Sequence, residues 1–224
     1  MTGSRLDPWV DSYAARAHNM RASEIRALFA VASRPEVVSL AGGMPFVQAL
    51  PGEMLASTAQ RLLYERGAQA LQYGSGQGDV TLREQILEVI GEVGVTAHPD
   101  DIVVTTGSQM ALDLVTRVFC DPGDVVLVEA PSYVGALGVF RAYECDVVHV
   151  AMDDEGLVPS ALSEAVAAAR AAGKRVKLIY TIPSFHNPAG VTQGPARRAE
   201  ILAIAQREGI ALLEDDPYGL LGFE

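Results

Sequence analysis

At 224 residues and a formal net charge of -11, with an isoelectric point near 4.8, the chain has room for one large domain or two small ones. It lacks the basic balance that nucleic-acid binding needs. A hydrophobic share of 49% and a mean hydropathy of +0.19 exclude disorder, and no apolar run reaches the roughly 18 residues of a membrane span.

Residues 1–38 read as an amphipathic arm rich in Ala and Arg. Ser23 offers a helix cap, and Glu24, Ile25, Leu28, Phe29 and Val31 follow at helical spacing. Met1 to Met20 is mixed and polar, with no signal peptide, so the chain is expected to be cytoplasmic. Residues 39–51 form a loop punctuated by Gly42, Gly43 and Pro45. A helix is predicted over residues 51–65, with Met54, Leu55, Leu62 and Leu63 on related faces. Gly74 to Gly78 has GxGxG spacing rather than GxGxxG and no clear strand before it. It reads as a flexible or substrate-facing loop.

From residue 100 the pattern alternates. Strands are predicted at 102–105, 125–128, 147–150, 176–182 and 210–213, and helices at 109–119, 133–143, 160–172 and 196–208. Short apolar strands between helices predict an α/β fold with a mostly parallel sheet flanked by helices. In such sheets ligands gather at the carboxyl ends of the strands. Cys120 and Cys145 are too few for a disulfide framework and read as reduced core thiols, and no Cys/His cluster has zinc-ligand spacing.

Several polar groups are predicted at those strand ends. Gly107, Ser108 and Gln109 open a helix, where free N–H groups and the helix dipole favour an anion; a plain capped turn would look the same. Tyr133 either lies flat on a planar heteroaromatic ring or packs in the core. Pro183, Pro188 and Gly190 fix the loop that carries Asn187, whose amide suits a phenolic or carbonyl oxygen. His186 beside it has no identifiable partner and reads as structural or solvent-facing. Asp215 can keep a ring nitrogen protonated, whereas Asp216 reads as a cap.

The segments SLAGGMP, LQYGSGQG, TTGSQMALDL, EAPSYVGAL, IPSFHNPAG and LLEDDPYG occur here in one order. Together they resemble the fold-type-I class I/II aminotransferases that use pyridoxal 5'-phosphate, closest to the 2-aminoadipate and kynurenine aminotransferase group. The resemblance implies transfer of an amino group from an amino acid to a 2-oxo acid. It implies that Gly107, Ser108 and Gln109 hold the cofactor phosphate and that Tyr133 stacks on the ring. Asn187 and Tyr218 would bond the phenolic oxygen, and Asp215 the ring nitrogen. Tyr73 would reach the phosphate of a neighbouring subunit in a homodimer. Gly43 would line the substrate pocket, and Arg26 would contact a substrate carboxylate, although an arginine on an amphipathic helix also reads as a solvated charge.

The family's Schiff-base lysine follows the aspartate in a later loop. The chain has only Lys174 and Lys177, which match no catalytic position. It is therefore expected to be an N-terminal portion, inactive alone. Residues 1–50 would be the arm and substrate-side segment, residues 51–224 a partial cofactor domain, and the small C-terminal domain absent. Two alternatives are a cofactor-sensing domain of a transcriptional regulator and a non-catalytic remnant that binds pyridoxal 5'-phosphate. Neither nucleic acid nor membrane is an expected partner.

Overall fold

The computed structural model describes residues 9–19, 34, 36–38 and 45–223. The predicted arm helix at 23–31, with Arg26, and the loop residue Gly43 lie outside the described residues. The chain divides into two compact units, Ala22–Thr105 and Met1–Arg21 with Thr106–Glu224.

In the first unit, α1 (Gly52–Ala70) runs past its predicted end, with Arg66 in a non-helical conformation (φ -134°, ψ 22°). Met54, Leu55, Leu62 and Leu63 all remain exposed. A helix that the sequence reading passed over, α2 (Val80–Gly91), starts where the Asp79 carboxylate accepts from the Leu82 amide at 3.2 Å. The glycine-rich stretch before it is fastened rather than loose. Gln77 Nε2 donates to the Asp100 carbonyl at 3.1 Å, and the Val104 amide donates to the Gln77 carbonyl at 2.8 Å. Residues 102–105 are not a strand. A strand needs a ladder, and among the described residues no neighbouring strand pairs with this segment.

The second unit is built on α3 (Ser108–Phe119), β1 (Val125–Ala130), α4 (Val134–Ala142), β2 (Asp146–Asp153), β3 (Gly156–Leu157), α5 (Pro159–Ala171), β4 (Val176–Thr181), α6 (Pro195–Glu208) and β5 (Ala211–Glu214). The sheet order is β3-β2-β1-β4-β5. All pairs are parallel except the short β2–β3 pair, so the expected mostly parallel sheet is present. Alternation along β1 sorts its side chains to two faces. Val126 and Val128 pack with Leu112, Phe140 and Tyr180, under α3 and α4. Val125 and Leu127 pack with Leu162, Val166, Ile201 and Ile204, under α5 and α6. Each such buried side chain contributes about 1.5–3 kcal/mol. The cysteines Cys120 and Cys145 are free and buried.

Parallel strands give the sheet two unlike edges. At the amino edge, Lys174 Nζ pairs with Asp146 Oδ2 at 2.6 Å and Arg175 Nε with Asp124 Oδ1 at 2.8 Å. Lys177 is the second residue of β4, at the same edge.

Candidate functional site at the carboxyl edge of the sheet

The carboxyl ends of β1, β4 and β5 share the other edge, because the three strands are parallel neighbours. β1 leads into Tyr133, β4 into Asn187 and β5 into Asp215 and Tyr218.

α3 joins them through its first turn. Gly107 precedes it at φ 77°, a left-handed conformation that glycine adopts without strain, and a Cβ built there meets no atom of the described residues within 4 Å. Glycine adds no side chain at the point where the helix presents its first N–H groups. Ser108 and Gln109 are exposed. The Gln109 amide donates to the Gly135 carbonyl at 3.2 Å, tying α3 to the first turn of α4.

Tyr133 is half-buried and packs against the core cluster of Phe140 and Tyr180. Its ring lies across Gly135, where a Cβ would sit 2.4–2.5 Å from ring atoms. That glycine is what leaves room for the ring. The hydroxyl of Ser132, just before it, is buried without a hydrogen-bond partner.

Asp215 continues the β4–β5 ladder, its amide donating to the Thr181 carbonyl at 2.9 Å. Its Oδ2 accepts the Tyr180 hydroxyl at 2.6 Å. Tyr180 is fully buried and packs edge-on to Phe140, with ring centres 5.5 Å apart. Burial first, and then the bond to Asp215, pushes the Tyr180 phenol far above the usual tyrosine range, so it stays a donor. Asp216 Oδ1 accepts the Gly219 amide at 2.9 Å, although Tyr218 and not Asp216 holds the cap position of the short helix Gly219–Leu221.

Asn187 is half-buried in a loop closed on itself. The His186 amide donates to the Val191 carbonyl at 2.8 Å and the Phe185 amide to Thr192 Oγ1 at 3.0 Å. A carboxylate that the sequence reading missed anchors this loop. Glu129, the fifth residue of β1, is wholly buried. Its Oε1 accepts Thr181 Oγ1 and Gln193 Nε2, each at 2.8 Å, and its Oε2 accepts the Ile182 amide at 2.8 Å. His186 is only 1% exposed, so its solvent-facing alternative falls away. Its Nδ1 accepts from the Ala189 amide at 3.2 Å. Its Nε2 lies 3.0 Å from Glu129 Oε2 but forms no well-aligned hydrogen bond.

The candidate residues of this edge belong to one unit. Tyr73 belongs to the other unit and is fully exposed. A cavity of about 220 Å³ beside α6 is lined by Thr181, Pro183, Arg198, Leu212 and Glu214, and by none of the predicted site residues. Burial holds the Glu214 carboxyl above its usual range there.

The profile of the aminotransferase class I and II family matches residues 38–224. The chain is 42% identical over 212 residues to aromatic-amino-acid aminotransferase 1 of Thermococcus litoralis, covering 94% of this chain and 51% of the relative. It is 39% identical over 216 residues to the 2-aminoadipate transaminase of Thermus thermophilus, covering 96% and 52%. Its fold is similar to the kynurenine aminotransferase of Pyrococcus horikoshii, solved in complex with PMP. The TM-score is 0.86 at 39% identity, covering 96% of this chain and 53% of that one. The chain thus spans about half the length of the curated relatives it matches.

Proposed function

This chain belongs to the aminotransferase class I and II family, and from that premise we propose that its carboxyl sheet edge holds pyridoxal 5'-phosphate for transfer of an amino group from an amino acid to a 2-oxo acid. One observation carries the reading. A half-buried carboxylate, Asp215, is fixed by a buried phenol on the edge that also presents a flat ring and the glycine-capped start of a helix. Those groups fit a planar cation with a phosphate arm.

When bound, the cofactor supplies an aldehyde that takes up the amino group and a protonated ring that withdraws electrons. The chain's residues do the rest. Asp215 would keep the proton on the ring nitrogen, since a nearby carboxylate favours the charged form. Gly107, Ser108 and Gln109 would bind the phosphate through backbone N–H groups at the start of α3. Tyr133 would cover one ring face and exclude water. Asn187 and Tyr218 would donate to the phenolic oxygen. Arg26 and Gly43 are proposed for the substrate side, and exposed Tyr73 for the phosphate of a second copy in a homodimer. Among the described residues no helix is long and apolar enough to cross a membrane, and a cytoplasmic setting is part of the same proposal.

Neither lysine can serve this edge, because Lys174 and Lys177 sit at the opposite one. The chain by itself is therefore proposed to hold the cofactor without turnover. The test is a titration with pyridoxal 5'-phosphate followed by absorbance, beside a turnover assay. Asp215→Asn is expected to weaken binding roughly ten- to a hundredfold, the value of a hydrogen bond to a charged group. Equal affinity of the variant, or turnover by this chain, would overturn the reading.

A further inference from the structure

Tyr180 follows two apolar residues of its strand. Its neighbours Leu178 and Ile179 are buried and make no polar demand, whereas its hydroxyl, also buried, must find an acceptor. The acceptor is Asp215 Oδ2 at 2.6 Å. Among the described residues Asp215 Oδ1 takes no hydrogen bond, so one oxygen is committed and the other remains for a ligand. The phenol comes from β4 and the carboxylate from the end of β5, so the bond holds the side chain against rotation from a neighbouring strand. The edge contact of Tyr180 with Phe140 in turn keeps the phenol from swinging away.

We propose that Tyr180 is a positioning residue that fixes the Asp215 carboxylate so that its free oxygen meets a protonated heterocyclic nitrogen. This rests on the reading of the carboxyl edge as a cofactor site. Tyr180 does not touch the ligand; it acts through Asp215. Its contribution is therefore specific to the ring nitrogen and absent for a ligand of the same shape without one.

The test compares affinities of the 224-residue chain for pyridoxal 5'-phosphate and for its 1-deaza analogue, in which C–H replaces the ring nitrogen. Tyr180→Phe keeps the buried ring and the contact with Phe140, and a urea titration checks that the variant folds. The wild-type chain is expected to prefer the nitrogen-bearing ligand. Tyr180→Phe should cut that preference roughly tenfold, the lower end for a hydrogen bond to a charged group, while leaving the analogue's affinity unchanged. In an Asp215→Asn background, Tyr180→Phe should change the preference no further.

A wild-type preference that survives Tyr180→Phe overturns this inference alone. Equal weakening of both ligands does the same, since it marks Tyr180 as merely structural. Absence of any wild-type preference overturns the role of Asp215 and this inference with it.

Discussion

Removing the carboxylate of Glu129 tests whether the Asn187 loop is hung from β1. Three donors converge on this side chain at 2.8 Å, from Thr181 Oγ1, Gln193 Nε2 and the Ile182 amide. Hydrogen bonds to a charged group contribute about 1.5–3 kcal/mol each, which sums to roughly 4–9 kcal/mol before the carboxylate's own desolvation is subtracted. Glu129→Ala leaves the Thr181 hydroxyl and the Ile182 amide buried without their acceptor, while Gln193 Nε2 keeps Thr181 Oγ1 at 2.8 Å, and the net cost should fall near the ~3–5 kcal/mol found when a buried charged partner is lost. Against a typical total of about 5–15 kcal/mol, that is a large fraction of stability.

Glu129→Gln separates charge from shape. The Ile182 amide cannot turn away, so the new carbonyl must serve it. The new amide group then faces Thr181 and Gln193, whose hydroxyl can rotate and whose amide can flip to present oxygen. Only the charge reinforcement is lost, and the expected cost is about 1–2 kcal/mol. Urea titration by far-ultraviolet circular dichroism, extrapolated to water, reads both values. The reasoning fails if Glu129→Ala lies within about 1 kcal/mol of wild type, or if the Gln variant is as costly as the Ala variant.

Two further outcomes are expected. Gly135→Ala would put a Cβ 2.4–2.5 Å from the Tyr133 ring and force the ring to move. Affinity for pyridoxal 5'-phosphate should fall roughly tenfold with a stability change below about 1 kcal/mol, and unchanged affinity would refute the seat proposed for the ring. Arg197 grips Asp153 with two bonds, at 3.0 and 3.1 Å, and holds its carboxyl below the usual range. A lowered folded value means stability present above the unfolded value and lost as pH falls through the folded one. Asp153→Asn should therefore lower the urea midpoint at pH 7 and lose its effect in strong acid; a deficit independent of pH would contradict this.

The sheet was largely legible because β1 opens on the apolar run Val125 to Val128, β4 is dominated by Val176, Leu178 and Ile179, and α3, α5 and α6 carry helical periodicity. Residues 102–105 have the same composition as a strand, but apolar composition cannot reveal whether a neighbour is there to pair with. α2 had readable cues, Asp79 followed by Leu82, Ile86 and Ile90, which the glycines before it masked. At the site, residues in distinctive loops could be singled out, whereas Glu129 and Tyr180 could not. Each follows apolar residues in its strand, and its importance comes from partners 52, 53 and 64 residues away for Glu129 and 35 for Tyr180. Spacing along the chain carries no trace of such long-range pairs. The side chain of Gln109 looked like a ligand donor, yet the Gly135 carbonyl already takes it.

The double commitment of β1 also restricts how a protein of this design can diversify. Val125 to Val128 have no face to spare, since one alternate set packs under α3 and α4 and the other under α5 and α6. A substitution there is felt by the whole sheet and cannot be tuned to a new ligand. Innovation is pushed out to the connections beyond the strand ends, where Tyr133, Asn187 and Tyr218 can change chemistry while the frame beneath them stays the same.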